Sequence, residues 1–98
     1  MINKNIEKSI IFEFICQRLN QILKSNKIKI KDEMILVGEN NIIKSAELFE
    51  LFMDIEVYLK DFNLIFDWPN MIVELSNNNT NISIKQLINY IFNKNEIK

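Results

Sequence analysis

Histidine is absent from this 98-residue chain, and glycine, proline, cysteine and tryptophan occur once each. The missing histidine removes the side chain that most often serves as general base or metal ligand near neutral pH. A single glycine and a single proline leave too little turn-forming material for an all-β fold. The lone cysteine, Cys16, can form no internal disulfide and cannot build a thiolate metal cluster. Its place within an apolar helical pattern suits a small buried hydrophobe. The chain also lacks a membrane-spanning apolar run, a signal-peptide pattern and a glycine-rich phosphate loop. These absences set three expectations: a cytoplasmic location, no membrane span and no catalysis of its own. The sequons at Asn78 and Asn81 read as chance matches in an asparagine-rich loop.

What is present is apolar and mostly helical in spacing. A hydrophobic content of 48% belongs to a folded chain, and 98 residues suffice for one modest core. The expected architecture is a single domain over residues 1–98. Its fold class is all-α, a four-helix bundle with a long loop between helices one and two and a short third helix.

The first helix is expected over residues 3–23, with Ile11, Ile15, Leu19 and Ile22 on one face. Ile10, Phe14 and Leu23 widen that face, and Phe12 and Cys16 extend it. Between residues 25 and 44 the helical period fails. Lys27-Ile28-Lys29-Ile30-Lys31 alternates like a strand but has no partner of similar quality, so an extended loop is expected. Met34, Ile35, Leu36 and Val37 form an apolar knot, Glu39-Asn40-Asn41 a polar turn, and Ile42 and Ile43 a pin for the loop. Residues 61–69 read as an aromatic linker, and Met71, Ile72 and Leu75 support the short third helix. Ser83-Ile-Lys-Gln86 matches a capping box that opens the last helix on Ile84, Leu87, Ile88, Ile91 and Phe92. The tail from residue 93 onward is expected to fray.

The second helix carries the most informative pattern. Ser45 stands where an N-cap is expected. Behind it Leu48, Leu51, Phe52, Ile55 and Leu59 recur with the spacing of one buried face. Glu47, Glu50 and Asp54 follow at i, i+3 and i+7, which predicts an exposed acidic face running down from the serine. Seven basic residues lie within the first 31, yet they are scattered among acids and isoleucines without a stacking platform. Nucleic-acid binding is therefore the weakest of the functional readings. The acids of the second helix could in principle act as a general acid and base, but no pocket is implied.

Residues 36–91 resemble an acyl carrier protein of the stand-alone subgroup. The likeness rests on Leu36-Val-Gly-Glu-Asn-Asn-Ile-Ile43, on Ser45-Ala-Glu-Leu-Phe-Glu-Leu-Phe-Met-Asp-Ile-Glu56, and on Asn81-Ile-Ser-Ile-Lys-Gln-Leu-Ile-Asn-Tyr-Ile91, in that order. In that family a serine, normally within Asp-Ser-Leu, opens the second helix and receives a 4′-phosphopantetheine arm from coenzyme A. The resemblance implies Ser45 as the attachment point. It implies partner contacts through Lys44, Ala46, Glu47, Phe49, Glu50, Met53, Asp54 and Glu56. Acyl or aminoacyl groups would travel as thioesters in fatty-acid-like, surface-polysaccharide or specialised-metabolite biosynthesis. The implied partners are a phosphopantetheinyl transferase, an acyl- or aminoacyl-activating ligase, and acyl-transferring or condensing enzymes, around a monomeric carrier. Two positions depart from the family pattern: Lys44 replaces the aspartate and Ala46 the leucine. A helix N-terminus favours a phosphodiester in any case. The alternative is an unmodified carrier-like domain that acts as a protein-interaction module.

Overall fold

The structure, a computed structural model, describes residues 6–24, 29–39, 41–76 and 81–96. Residues 3–5 of the expected first helix, Lys27 and Ile28, Asn40, the loop at 77–80 with Asn78, and the tail at 97–98 lie outside the described residues. In chain order the elements are α1 (Lys8–Leu23), β1 (Ile35–Val37), α2 (Ser45–Lys60), α3 (Trp68–Ser76), β2 (Ile82–Ser83) and α4 (Ile84–Lys94).

The described part is mostly helical, with four helices as expected, but it is not all-α. β1 pairs antiparallel with β2, Ile35 opposite Ser83 and Val37 opposite Ile82, with an irregularity in register between them. The apolar knot is thus a short strand. Its partner is the entry to the last helix, more than 40 residues on. β-branched side chains suit such a pleated, half-buried surface. The alternating lysine–isoleucine run is not a strand over its described residues 29–31. The single glycine, Gly38, follows β1 at φ 113°, a conformation that a Cβ would oppose.

α2 and α4 bury the stripes that their spacing assigns, while α1 and α3 bury theirs in part, with Ile22, Ile72 and Leu75 only half-buried. Ile11, Ile15 and Leu19 of α1, Leu48, Leu51, Phe52, Ile55 and Leu59 of α2, Met71 of α3, and Leu87, Ile88 and Ile91 of α4 join one apolar core. Each fully buried aliphatic or aromatic side chain contributes roughly 1.5–3 kcal/mol. The α1 stripe is narrower than expected: Ile10 is exposed, and Phe12, Phe14 and Ile22 pack only at the core's edge. Beyond α2, residues 61–63 turn, with Asn63 at φ 58°. The aromatic linker is shorter than expected, because α3 begins at Trp68 and takes Trp68 and Pro69 into its first turn. Asp67 Oδ1 accepts from the Asn70 N–H at 3.2 Å, and Pro69 sits in the first turn where a missing N–H costs nothing.

The capping box of α4 forms as its sequence predicts. Gln86 N–H donates to Ser83 Oγ at 3.1 Å, and Ser83 N–H donates to Gln86 Oε1 at 2.9 Å. The first two helical N–H groups also have partners, Ile84 donating to the Met34 carbonyl and Lys85 to the Asp32 carbonyl. At the other end the expected fraying is corrected. α4 continues to Lys94, and Asn95 is buried. Its amide accepts from Ile65 N–H and donates to the Ile65 and Ile91 carbonyls, all at 2.8–2.9 Å. Asn95 thereby satisfies backbone that the linker leaves unpaired.

Nearby, Glu74 accepts from Lys94, Tyr90 and Asn70. The Lys94 bond, then the Tyr90 bond, hold the Glu74 carboxyl below its ordinary 4.5, and the same ion pair raises Lys94 above 10.5. A depressed carboxylate stabilises above its unfolded value and loses that contribution as pH falls through the folded one. A raised lysine does the reverse at the alkaline end.

Two stability outcomes are expected. Asn95→Ala should cost about 1–3 kcal/mol in urea unfolding, because it strands the Ile65 N–H and carbonyl. Glu74→Gln should flatten the loss of stability on going from neutral pH to about pH 3. An unchanged acid limb would show that the Glu74 cluster does not couple to folding.

Candidate functional site

The N-terminal end of α2 gathers the residues that the sequence singles out. Lys44 has extended backbone (φ −77°, ψ 157°), and its carbonyl accepts the first helical bond, from Leu48 N–H at 2.8 Å. Lys44 is therefore the N-cap, and Ser45 is the first helical residue, one position inside its expected place. The lysine ammonium is a donor only and cannot cap the turn. Only the reciprocal half of a capping box exists: Glu47 Oε1 accepts from Lys44 N–H at 3.3 Å. The N–H groups of Ser45, Ala46 and Glu47 lie ahead of the helical ladder and point out of its end.

Ser45 is exposed, as are Lys44 and Ala46 on either side of it. An open cleft of about 590 Å³ begins at Ser45. Leu23, Ile42 and Ile43 supply its apolar wall, and Asn41, Lys44 and Glu47 its polar one. The loop is pinned as expected, with Ile43 buried and Ile42 partly so. Leu23, from the last turn of α1, is a wall that local spacing around the serine could not reveal.

Down α2 the expected acidic face is interrupted. Asp54 is half-buried and held by Arg18 of α1, whose Nε and Nη2 lie 2.9 and 2.5 Å from Asp54 Oδ2. Both side chains keep 31% exposure, so the pair is worth no more than about 1 kcal/mol, but it commits the Asp54 charge to the α1–α2 junction. Arg18 also reaches Gln21. Glu50 remains exposed, while Glu47 and Glu56 are partly so.

Alongside these acids runs an apolar stripe. Phe49, Met53 and Val57 are 47, 58 and 64% exposed and recur every fourth residue, so they share one face of α2. Helical periodicity places Ala46 at its head, Glu50 on one flank and Glu56 on the other. Phe49 leans on Trp68 of α3, ring centroids 5.5 Å apart, and the same indole lies 5.5 Å from Phe52 in the core. Val57 was missed in the sequence although its spacing from Met53 marks it.

Elsewhere the chemistry is muted. Cys16 is half-buried, and burial, aided by Glu13, pushes its thiol above 9.0, which disfavours the thiolate. A cleft of about 270 Å³ between α1 and α4 contains Lys8 and Lys85. Lys8 is already engaged there, donating to Asn89 Oδ1 at 2.9 Å and lying over the Phe92 ring. Among the described residues no group of three or more Cys, Asp or Glu is placed to hold a metal ion, and no helix is long and apolar enough to cross a membrane.

If the stripe is surface and not core, Met53→Ser and Val57→Ser should each change the free energy of unfolding by less than about 0.5 kcal/mol. Urea denaturation checks this, and a loss above about 2 kcal/mol would mean that the stripe helps hold the fold. Comparison with protein-family models, with curated proteins and with solved structures finds no match for this chain.

Proposed function

We propose that this chain is a stand-alone carrier protein that bears a 4′-phosphopantetheine arm on Ser45 and presents acyl or aminoacyl groups to partner enzymes. The observation that supports it most is the setting of Ser45. An exposed hydroxyl opens α2, next to outward-facing N–H groups and a cleft walled by Leu23, Ile42 and Ile43. In the attachment step Ser45 Oγ forms a bond to the β-phosphorus of coenzyme A. The pyrophosphate link to the adenosine bisphosphate breaks, and the hydroxyl proton passes to the transferase. The product phosphodiester is an anion at a helix N-terminus, where N–H donors and the backbone dipole favour it. The arm, once attached, supplies a thiol on a long flexible reach.

Partners would read the outer face of α2. Phe49 and Met53, with Ala46 above them, offer apolar contact, and Val57 extends it. Glu47, Glu50 and Glu56 rim that contact with negative charge, which speeds encounter with a basic surface without locking it. Asp54, tied to Arg18, positions α2 on α1 and contributes less to that rim. A transferase, an acyl- or aminoacyl-activating ligase and acyl-transferring or condensing enzymes would use this surface in turn.

A second reading, an unmodified interaction module, draws on the same stripe. Phe49, Met53 and Val57 are exposed without any arm, and Lys44 stands at the cap position. Intact mass after incubation with coenzyme A and a broad-specificity transferase separates the two. The carrier reading expects a gain of one phosphopantetheine that Ser45→Ala abolishes. If mass gain appears only in Lys44→Asp, Lys44 blocks a generic transferase. If neither protein gains mass, the interaction module becomes the better reading.

A further inference from the structure

We infer that any acyl group this protein carries stays outside the helical bundle, so that its cargo is a short or polar acyl group and not a long aliphatic chain. This rests on the carrier reading above.

The interior is closed to water along α2 from Leu51 to Leu59. Leu51, Phe52, Ile55 and Leu59 have 0% exposure, so no water-sized space touches their side chains. Facing them, Ile11, Ile15 and Leu19 of α1 and Leu87 and Ile91 of α4 are equally closed. The α2–α3 side is sealed by aromatic rings. Phe52 meets Phe66 edge-on with centroids 5.8 Å apart, and Trp68 covers Phe52 while also holding Phe49. Met71 closes the α3 side at 0% exposure. An aliphatic chain entering between these helices would have to part that aromatic contact and overfill a core without space, which packed interiors resist.

The room beside Ser45 lies on the other side, between the end of α1 and residues 41–44, and it opens to solvent. Asn41, Lys44 and Glu47 form half of its wall. An arm with a polar acyl group fits such a surface. A long aliphatic tail there keeps most of its area in water and gains little from burial.

Loading the protein with acetyl, hexanoyl and dodecanoyl amide analogues of acyl-coenzyme A tests this. Intact mass reports attachment, and Tm and the methyl resonances of Leu51, Ile55 and Leu87 report the interior. The three loaded forms are expected to melt within about 2 °C of one another, with those methyls unmoved. A Tm that climbs with chain length, by roughly 3–6 °C for each methylene buried, together with shifted core methyls, overturns the proposal. An unchanged mass counts against the carrier reading alone. In that case Cys16→Ser/Ser45→Cys, alkylated through a pantetheine-length spacer bearing the same three acyl groups, decides the interior by the same Tm criterion.

Discussion

The arrangement of the serine end depends on how the start of α4 is satisfied. A helix presents N–H groups in its first turn that its own ladder cannot use. Here Ile84 and Lys85 give theirs to the carbonyls of Met34 and Asp32, at 3.0 and 2.7 Å, and the β1–β2 pairing continues the same junction. The long connection after α1 is thereby fastened in the middle. Beyond that point Glu39 N–H donates to Asn81 Oδ1, and Ile42 N–H returns to the Ile35 carbonyl. Ser45 follows three residues later. Its position is thus set from α4, through backbone bonds, as much as from its own helix.

α2 divides its surface into two apolar regions with different roles. One is buried to the limit, and the other, Phe49, Met53 and Val57, stands in solvent at a cost that the fold does not recover. Exposed apolar groups scattered singly are ordinary, but three on one helical face with acids on both flanks form a patch. Trp68 joins the two regions: it touches Phe49 outside and Phe52 inside. The outer stripe is thus braced against the core at Phe49, through Trp68.

Local chemistry was legible in the sequence, and nonlocal pairing was not. Ser83 and Gln86 complete each other three residues apart, so their capping box could be read directly. The buried faces of α1, α2 and α4 follow from periodicity alone. The strand Ile35–Val37 is too short to show a period, and its partner is far along the chain. The longer and more regular alternation at residues 27–31 forms no strand over its described residues 29–31. Asn95 looked like part of a loose tail because its role is set by Ile65, which lies 30 residues earlier. Asp54 looked free because Arg18 belongs to another helix. At the site, the serine and its neighbours were legible, whereas the cap assignment turned on a single residue's backbone angles.

That one-residue shift bears on the chemistry. Had Ser45 been the N-cap, its oxygen would have been aimed back at the N–H groups of the first turn. As the first helical residue it leaves them to another acceptor. Glu47, the nearest carboxylate, does not compete for them, since its Oε1 takes the N–H of Lys44. Lys44 adds a cation beside the same opening and cannot act as an acceptor there. A phosphodiester on Ser45 would thus find open donors, a favourable dipole and one adjacent positive charge, each exposed contribution being of order 0.3–1 kcal/mol. These contributions favour the attached state and do nothing for the rate of attachment. Lys44, standing where acyl carrier proteins usually have an aspartate, would therefore favour retention of a phosphodiester on Ser45, whatever its effect on the rate at which one is attached.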